Sequence, residues 1–212
     1  MPIRTRVLFV WHWAVIAIEH EAKARMGRQR AILDRLTGTS LASKDEFYAA
    51  MIAVAACTHS LDALYAELAE HVAPETVATW EATRRGGRAR EVAAILELAV
   101  EADVDAWRPR LRTLYEERRN PLVHPRVRWR DLVEHPELGE IAADEADTVE
   151  AVQESVDLLL EILIACAEAP KPRAAAWAAQ VGGFGFLGMV EYLKELRDQR
   201  TAEFVEAFDD DA

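Results

Sequence analysis

The feature that most constrains the fold is the spacing of apolar residues, which recur every three or four positions through most of the chain. In the segment 43–72 the pattern runs through Phe47, Met51, Val54, Cys57, Leu61, Leu64, Tyr65 and Leu68. This period places the apolar side chains on one face of an α-helix, whereas a half-buried strand would alternate every two residues. Hydrophobic residues make up 51% of the chain, enough to build a large core. The sequence therefore predicts an all-α protein.

Proline, glycine and short polar runs interrupt this pattern and divide the chain into helices. The predicted helices span residues 4–36, 43–72, 74–85, 88–102, 105–119, 144–169, 173–180 and 187–208. Gly27 is a candidate break in the first helix, and Ser43 with Glu46 matches a capping box at the start of the second. The segment 119–142 contains three prolines and Gly139, so it predicts turns, and no part of the chain predicts a sheet.

The helices predict a bundle at residues 43–169 with helical segments on both sides of it. Residues 1–42 form an N-terminal flanking helix, and residues 170–212 form a C-terminal extension that begins at a proline-rich linker. The apolar run 7–18 is too short to span a bilayer, and it predicts a buried helix rather than a signal peptide. No membrane segment is expected, and the location predicted is cytoplasmic.

Two cysteines, Cys57 and Cys166, lie inside apolar helical stripes, so the sequence predicts buried free thiols rather than a disulfide framework. No paired Cys/His spacing for zinc and no Glu-x-x-His pair for a di-iron bundle is present. Neither a metal site nor a cofactor is therefore expected.

Positive charge is concentrated in residues 107–130, which we call the arginine island. The island contains Arg108, Arg110, Arg112, Arg118, Arg119, Arg126, Arg128 and Arg130. With two glutamates it carries +6, so the rest of the chain carries −18 against a net charge of −12. A positive window in an acidic protein is a candidate phosphate-binding face. An equally weighted alternative is that these arginines pair with acidic neighbours in a helical bundle.

One segment of the island groups three side chains that suit RNA cleavage without a metal. The guanidinium of Arg119 can bind two phosphate oxygens at once and stays charged. His124 can take the proton of a ribose 2′-hydroxyl, because histidine titrates near neutral pH. Asn120, the only asparagine in the chain, can orient the phosphate. The spacing alone is weak, since Arg118 also precedes His124 by six residues.

The segment from Arg119 to His124 resembles the Arg-x(4–6)-His motif of the HEPN superfamily, and the resemblance covers residues 43–169. It implies a bundle of four or five helices that acts as a homodimer, with two motifs facing each other. The implied activity is metal-independent RNA cleavage in toxin–antitoxin or phage-defence systems. Arg119 would bind the phosphate, Asn120 would position it and His124 would supply acid–base chemistry. Arg126 stands where some HEPN toxins carry a modified tyrosine, so that regulation is not expected.

Further residues are predicted to support this site. Four other arginines are predicted to bind RNA, namely Arg118, Arg126, Arg128 and Arg130. In the helix 43–72, Asp62 could hold Arg119, while Ser60 and His59 could line the cleft. The alternative is that this polar group faces solvent. The tryptophans at 107 and 129 could stack on bases or pack in the core.

Two other functions stay open. The chain could be a non-catalytic helical module that binds an antitoxin or a defence protein. It could also bind RNA or a nucleotide through the arginine island without cleaving it, in which case salt would weaken binding.

Overall fold

In the computed structural model, the described residues are 3–37, 43–72, 87–119, 132–135, 139–142, 148–180 and 185–209. Their α-helices are α1 (Ile3–Thr37), α2 (Ser43–Val72), α3 (Arg88–Ala99), α4 (Trp107–Arg112), α5 (Thr148–Glu168), α6 (Pro172–Gln180) and α7 (Gly185–Asp209). A 3-10 turn at Val104–Ala106 precedes α4, and a π-helix at Thr113–Arg119 follows it. Two strands, β1 (Leu132–His135) and β2 (Gly139–Ala142), complete these ranges.

The predicted all-α bundle is confirmed, because buried apolar side chains from all seven α-helices form one core cluster. The two long helices α1 and α2 pack antiparallel, as shown by contacts of Val10 with Ser60 and of Arg28 with Glu46. Helix α5 packs against α2, α1 and α7. The apolar spacing located α2 at its observed bounds, since a single buried stripe requires one continuous helix. The helix predicted at 74–85 lies outside the described residues.

Helix α1 continues through Gly27, so the predicted break there is wrong. Gly27 instead lies where α1 crosses α2, and it comes closer to a neighbouring backbone than the other glycines described. A Cβ atom at position 27 would lie 2.7 Å from the backbone nitrogen of Glu46 and 2.8 Å from its Cα. Real Cβ atoms do not approach a backbone this closely, so only glycine fits this crossing.

A Gly27→Ala substitution should therefore destabilise the protein, although alanine is the better helix former by about 1 kcal/mol. Overpacking a closed helix crossing costs about 1–3 kcal/mol, and we expect a net loss of up to about 2 kcal/mol in the free energy of unfolding. Denaturant titration measures it. The control is Gly87→Ala, because a Cβ at that position would come no closer than 3.7 Å to Glu116. A stabilised Gly27→Ala protein would contradict this account of the crossing.

The described part of segment 119–142 contains a β-hairpin, which corrects the expectation of turns alone. Strands β1 and β2 pair antiparallel, with Leu132 opposite Ala142 and His135 opposite Gly139. The three residues that connect the strands lie outside the described residues. Because each strand has four residues and the core is helical, the class remains all-α.

The predicted flanking segments contribute to the same core as the central bundle. In the linker, the Lys171 backbone nitrogen donates to the Ala99 carbonyl at 2.8 Å. Phe186 of α7 contacts Trp177 of α6 and Trp11 of α1, with ring centroids 5.2 Å and 4.7 Å apart. These contacts join the three predicted segments. The division into 1–42, 43–169 and 170–212 stays a prediction.

Among the residues described, one helical segment, Asp45–His71, is long and apolar enough to cross a membrane by length and composition. Its most apolar window has a mean hydropathy of 1.4, and 56% of that window is buried inside the bundle. This is weak evidence of a membrane segment, because the core helix of a soluble protein passes the same test.

The two cysteines are free and buried, which confirms the prediction made for them. Burial raises the pKa of Cys57, and it raises that of Cys166 to about 12. Both side chains therefore remain neutral thiols, and they contribute to the core as small apolar groups.

Candidate functional site

The described half of the arginine island is the segment formed by α4 and the π-helix. Trp107, Leu111, Leu114 and Tyr115 are buried along one side of this segment, so Trp107 packs in the core. The π-helix ends at Arg119, the first residue of the predicted motif. The remaining predicted site residues Asn120, His124, Arg126, Arg128 and Arg130 lie outside the described residues, as does Trp129.

Three arginines of α4 form ion pairs with acidic neighbours, as the alternative to a phosphate-binding face requires. The pairs are Arg108 with Glu97 and Asp105 (2.6 Å each), Arg110 with Glu161 (2.5 Å) and Arg112 with Glu116 (3.0 Å). All three guanidinium groups are at least a third exposed, so solvent screens these pairs and each adds little to stability. Their main consequence is that the positive charge of α4 is locally neutralised.

Arg118 points from the π-helix to α5. Its Nη1 donates to the Ala151 carbonyl at 2.8 Å and to the Ser155 hydroxyl at 3.0 Å, and its Nη2 binds Glu154. The side chain lines a cavity of about 300 Å³ between α4 and α5. Its predicted role in RNA binding stays a prediction, although these contacts already engage both Nη atoms with the bundle.

Arg119 is the one arginine among the five described in the island for which no ion pair or hydrogen bond is found within the described residues. Its guanidinium carbon lies 5.9 Å from the centre of the Tyr115 ring, within the range of a cation–π contact. The side chain is half-buried. Within the described residues, no acceptor engages the five N–H donors of Arg119.

Asp62 does not contact Arg119 directly. Its Oδ1 accepts a hydrogen bond from Arg88 Nε at 2.8 Å and one from the Tyr115 hydroxyl at 3.0 Å. Burial, followed by the charge of Asp62, raises the pKa of Tyr115 well above its usual value. Burial alone would lower the pKa of Arg88, but hydrogen bonds to Asp62 and Glu91 raise it. The phenol is therefore a neutral donor, and the Arg88 guanidinium is a permanent cation.

The other two supporting residues have different surroundings. Ser60 is buried, and its hydroxyl donates to the Val10 carbonyl at 2.8 Å, so it joins α2 to α1. His59 is exposed and lies against Trp13, with ring centroids 4.8 Å apart. The structure thus brings Asp62 near Arg119 through Tyr115, whereas Ser60 and His59 contact α1.

Tyr115 and Arg88 belong to this arrangement but were missed by the sequence analysis. Tyr115 precedes Arg119 by four residues, and this spacing on a helix was a usable signal of contact. Arg88 gave no such signal, because it is 26 residues from Asp62 and begins a different helix.

No three His, Cys, Asp or Glu side chains cluster closely enough to hold a metal ion within the parts of the chain that the structure describes. No family model, curated protein or solved structure matches the chain.

Proposed function

We propose that the chain is a HEPN-like endoribonuclease that cleaves RNA without a metal, with Arg119, Asn120 and His124 as its reacting group. The observation that carries the proposal is the state of Arg119. In the described half of the island, the other four arginines bind carboxylates, while Arg119 binds none and leads directly into Asn120. An arginine that no described carboxylate neutralises is suited to bind the phosphate of an RNA backbone.

The proposed reaction is an attack by the ribose 2′-oxygen on the adjacent phosphorus. His124 takes the proton of the 2′-hydroxyl, and the new O2′–P bond forms as the bond from phosphorus to the 5′-oxygen breaks. Arg119 stabilises the charge that develops on the phosphoryl oxygens, and the Asn120 amide orients them. The 5′-oxygen leaves with a proton from an acid or from water. The products carry a 2′,3′-cyclic phosphate and a 5′-hydroxyl, so no co-reactant is consumed.

We propose that the working unit is a cytoplasmic homodimer, and that it belongs to a toxin–antitoxin or phage-defence system. Exposed apolar side chains supply candidate contact surfaces for a second copy, an antitoxin or a defence protein. They are Phe9, Tyr48, Ile52, Leu187, Tyr192 and Val205. Beyond Arg119, the arginines at 126, 128 and 130 would follow the RNA backbone.

The direct test is cleavage of single-stranded and hairpin RNAs in EDTA by the wild type and by His124→Ala. We expect the variant to be at least about 100-fold slower, because general acid–base catalysis contributes about 10²–10⁴ to rate. Mass spectrometry of the products should find 2′,3′-cyclic phosphate ends. His20→Ala is the matched control, since His20 lies on α1 outside the island. Equal cleavage by the wild type and His124→Ala, or none by either, would reject the proposal.

A non-catalytic binding module is the second candidate, and the ion pairs of Arg108, Arg110, Arg112 and Arg118 favour it. If this is correct, the wild type leaves RNA intact, and RNA binding shows little dependence on salt. A nuclease or an RNA-binding protein that binds phosphates through the arginine island should instead lose affinity steeply as salt rises.

A further inference from the structure

Tyr115 lies beneath the side chain that the proposed nuclease would use to bind phosphate. It is 2% exposed, and its hydroxyl hydrogen bonds to Asp62 and lies 3.3 Å from the Thr58 carbonyl. The ring is therefore fixed by α2 from one side, while the guanidinium of Arg119 lies over it at 5.9 Å. A fixed aromatic face below a cation favours positions of that cation over the ring.

Arg118 and Arg119 lie at the end of the π-helix and have different surroundings. The hydrogen bonds of a π-helix run from residue i to i+5, so each turn is wider than in an α-helix. Residues four apart then lie nearly above one another, in agreement with the position of Arg119 over Tyr115. Arg118 faces α5, where Glu154 binds it, and Arg119 does not. Short π-helical segments often occur at functional sites.

Arg88 acts on Arg119 indirectly, because it binds Asp62. Asp62 is the carboxylate that contacts Tyr115, and it is engaged by Arg88 Nε at 2.8 Å. Arg88 is itself held in place, because it binds Glu91 at 3.0 Å and lies 4.0 Å over the Tyr65 ring. Asp62 is thus neutralised by one arginine and fixes the ring below another. A carboxylate bound to Arg119 would compete with phosphate, whereas an aromatic ring orients the cation without neutralising it.

We propose that Tyr115 is the positioning residue of Arg119, and that the Asp62–Arg88 pair fixes its ring while keeping Asp62 from neutralising Arg119. This inference rests on the proposed nuclease function. It assigns to Asp62 an indirect role, and it adds Tyr115 and Arg88 as residues that act through Arg119 rather than on RNA.

The test compares Tyr115→Leu with Tyr115→Phe. Leucine removes the aromatic face, so kcat should fall at least about 10-fold, since small displacements of a phosphate-binding group have effects of this size or larger. Phenylalanine keeps the face but loses the hydrogen bond to Asp62, so its rate should lie between those of Tyr115→Leu and the wild type. If Tyr115→Phe cleaves RNA as slowly as Tyr115→Leu, the hydroxyl and not the ring determines the rate, and the role of the ring is overturned.

A second measurement does not depend on activity. In a nitrogen-15 NMR spectrum, the Arg119 Nε–Hε signal, assigned by its loss in Arg119→Lys, should shift in Tyr115→Leu and stay near its wild-type position in Tyr115→Phe. An unchanged signal in Tyr115→Leu would overturn the contact. If the signal shifts as expected but the wild type cleaves no RNA, the nuclease proposal fails while the positioning of Arg119 by Tyr115 is retained.

A third arm isolates the role of Arg88. Arg88→Met leaves Asp62 free to pair with Arg119, so cleavage should slow about 10-fold or more. In an Asp62→Asn background the same Arg88→Met change should have little further effect, because no carboxylate in contact with Tyr115 is then released. Equal losses in both backgrounds would show that Arg88 acts only on stability, and would reject the proposed neutralisation.

Discussion

An Arg119→Ala variant should cleave RNA at least about 1,000-fold more slowly than the wild type while remaining folded. An arginine that stabilises a phosphoryl transition state contributes about 10³–10⁵ to the rate. The guanidinium of Arg119 is bound to no carboxylate within the described part of the chain, so its removal leaves no unpaired buried charge there. Arg119→Lys should recover only part of the rate, because an ammonium cannot bind two phosphate oxygens in the same fixed geometry. Single-turnover cleavage in EDTA measures each rate.

The matched control is Arg112→Ala, which removes the same charge from the same island. Arg112 is 71% exposed and pairs only with Glu116 one turn away on its own helical segment. Its loss should change the rate less than about 3-fold, because screened surface charges contribute little. A large effect of Arg112→Ala would mean that the island acts through its total charge. A loss in Arg118→Ala without one in Arg119→Ala would assign the phosphate to the other arginine that precedes His124.

The sequence predicted the helices well because their information is local. The apolar stripe from Phe47 to Leu68 has one period and one face, and it gave the bounds of α2. Gly27 shows where this reasoning fails. Its low helix propensity suggested a break, but the position is determined by contact with Glu46, which comes from another helix.

The candidate site could be predicted only in part, because its contacts join residues that are distant in sequence. Composition located the arginine island, and the motif singled out Arg119. Neither could show that Arg118 binds Ala151, Ser155 and Glu154, because these residues are at least 33 positions away in sequence. Sequence also paired Asp62 with Arg119, whereas Arg88 binds Asp62. The choice between Arg118 and Arg119 as the phosphate-binding residue therefore requires the positions of α2, the π-helix and α5.

An Arg28→Met variant should lose about 3–5 kcal/mol of unfolding free energy, the usual effect of leaving one buried charge without its partner. Arg28 of α1 binds Glu46 of α2 through Nε at 3.0 Å and through Nη2 at 2.8 Å. Glu46 is 2% exposed, and its other partner is the Thr148 hydroxyl. The carboxylate that was predicted to cap α2 at Ser43 is thus used to join α1, α2 and α5. Denaturant titration at neutral pH measures the loss.

The double variant Arg28→Met/Glu46→Gln separates the charge from the packing. The amide of glutamine has nearly the shape of the carboxylate and can still accept from Thr148, but it carries no charge. It should therefore recover about half or more of the lost stability. If it recovers nothing, Arg28 acts through the packing of its side chain and not through its charge. Because Thr148 begins α5, the helix that also binds Arg118 through Ser155 and Glu154, Arg28→Met should also reduce RNA cleavage under conditions where the protein is still folded. A destabilised variant with full activity would show that the entry to α5 does not influence the site.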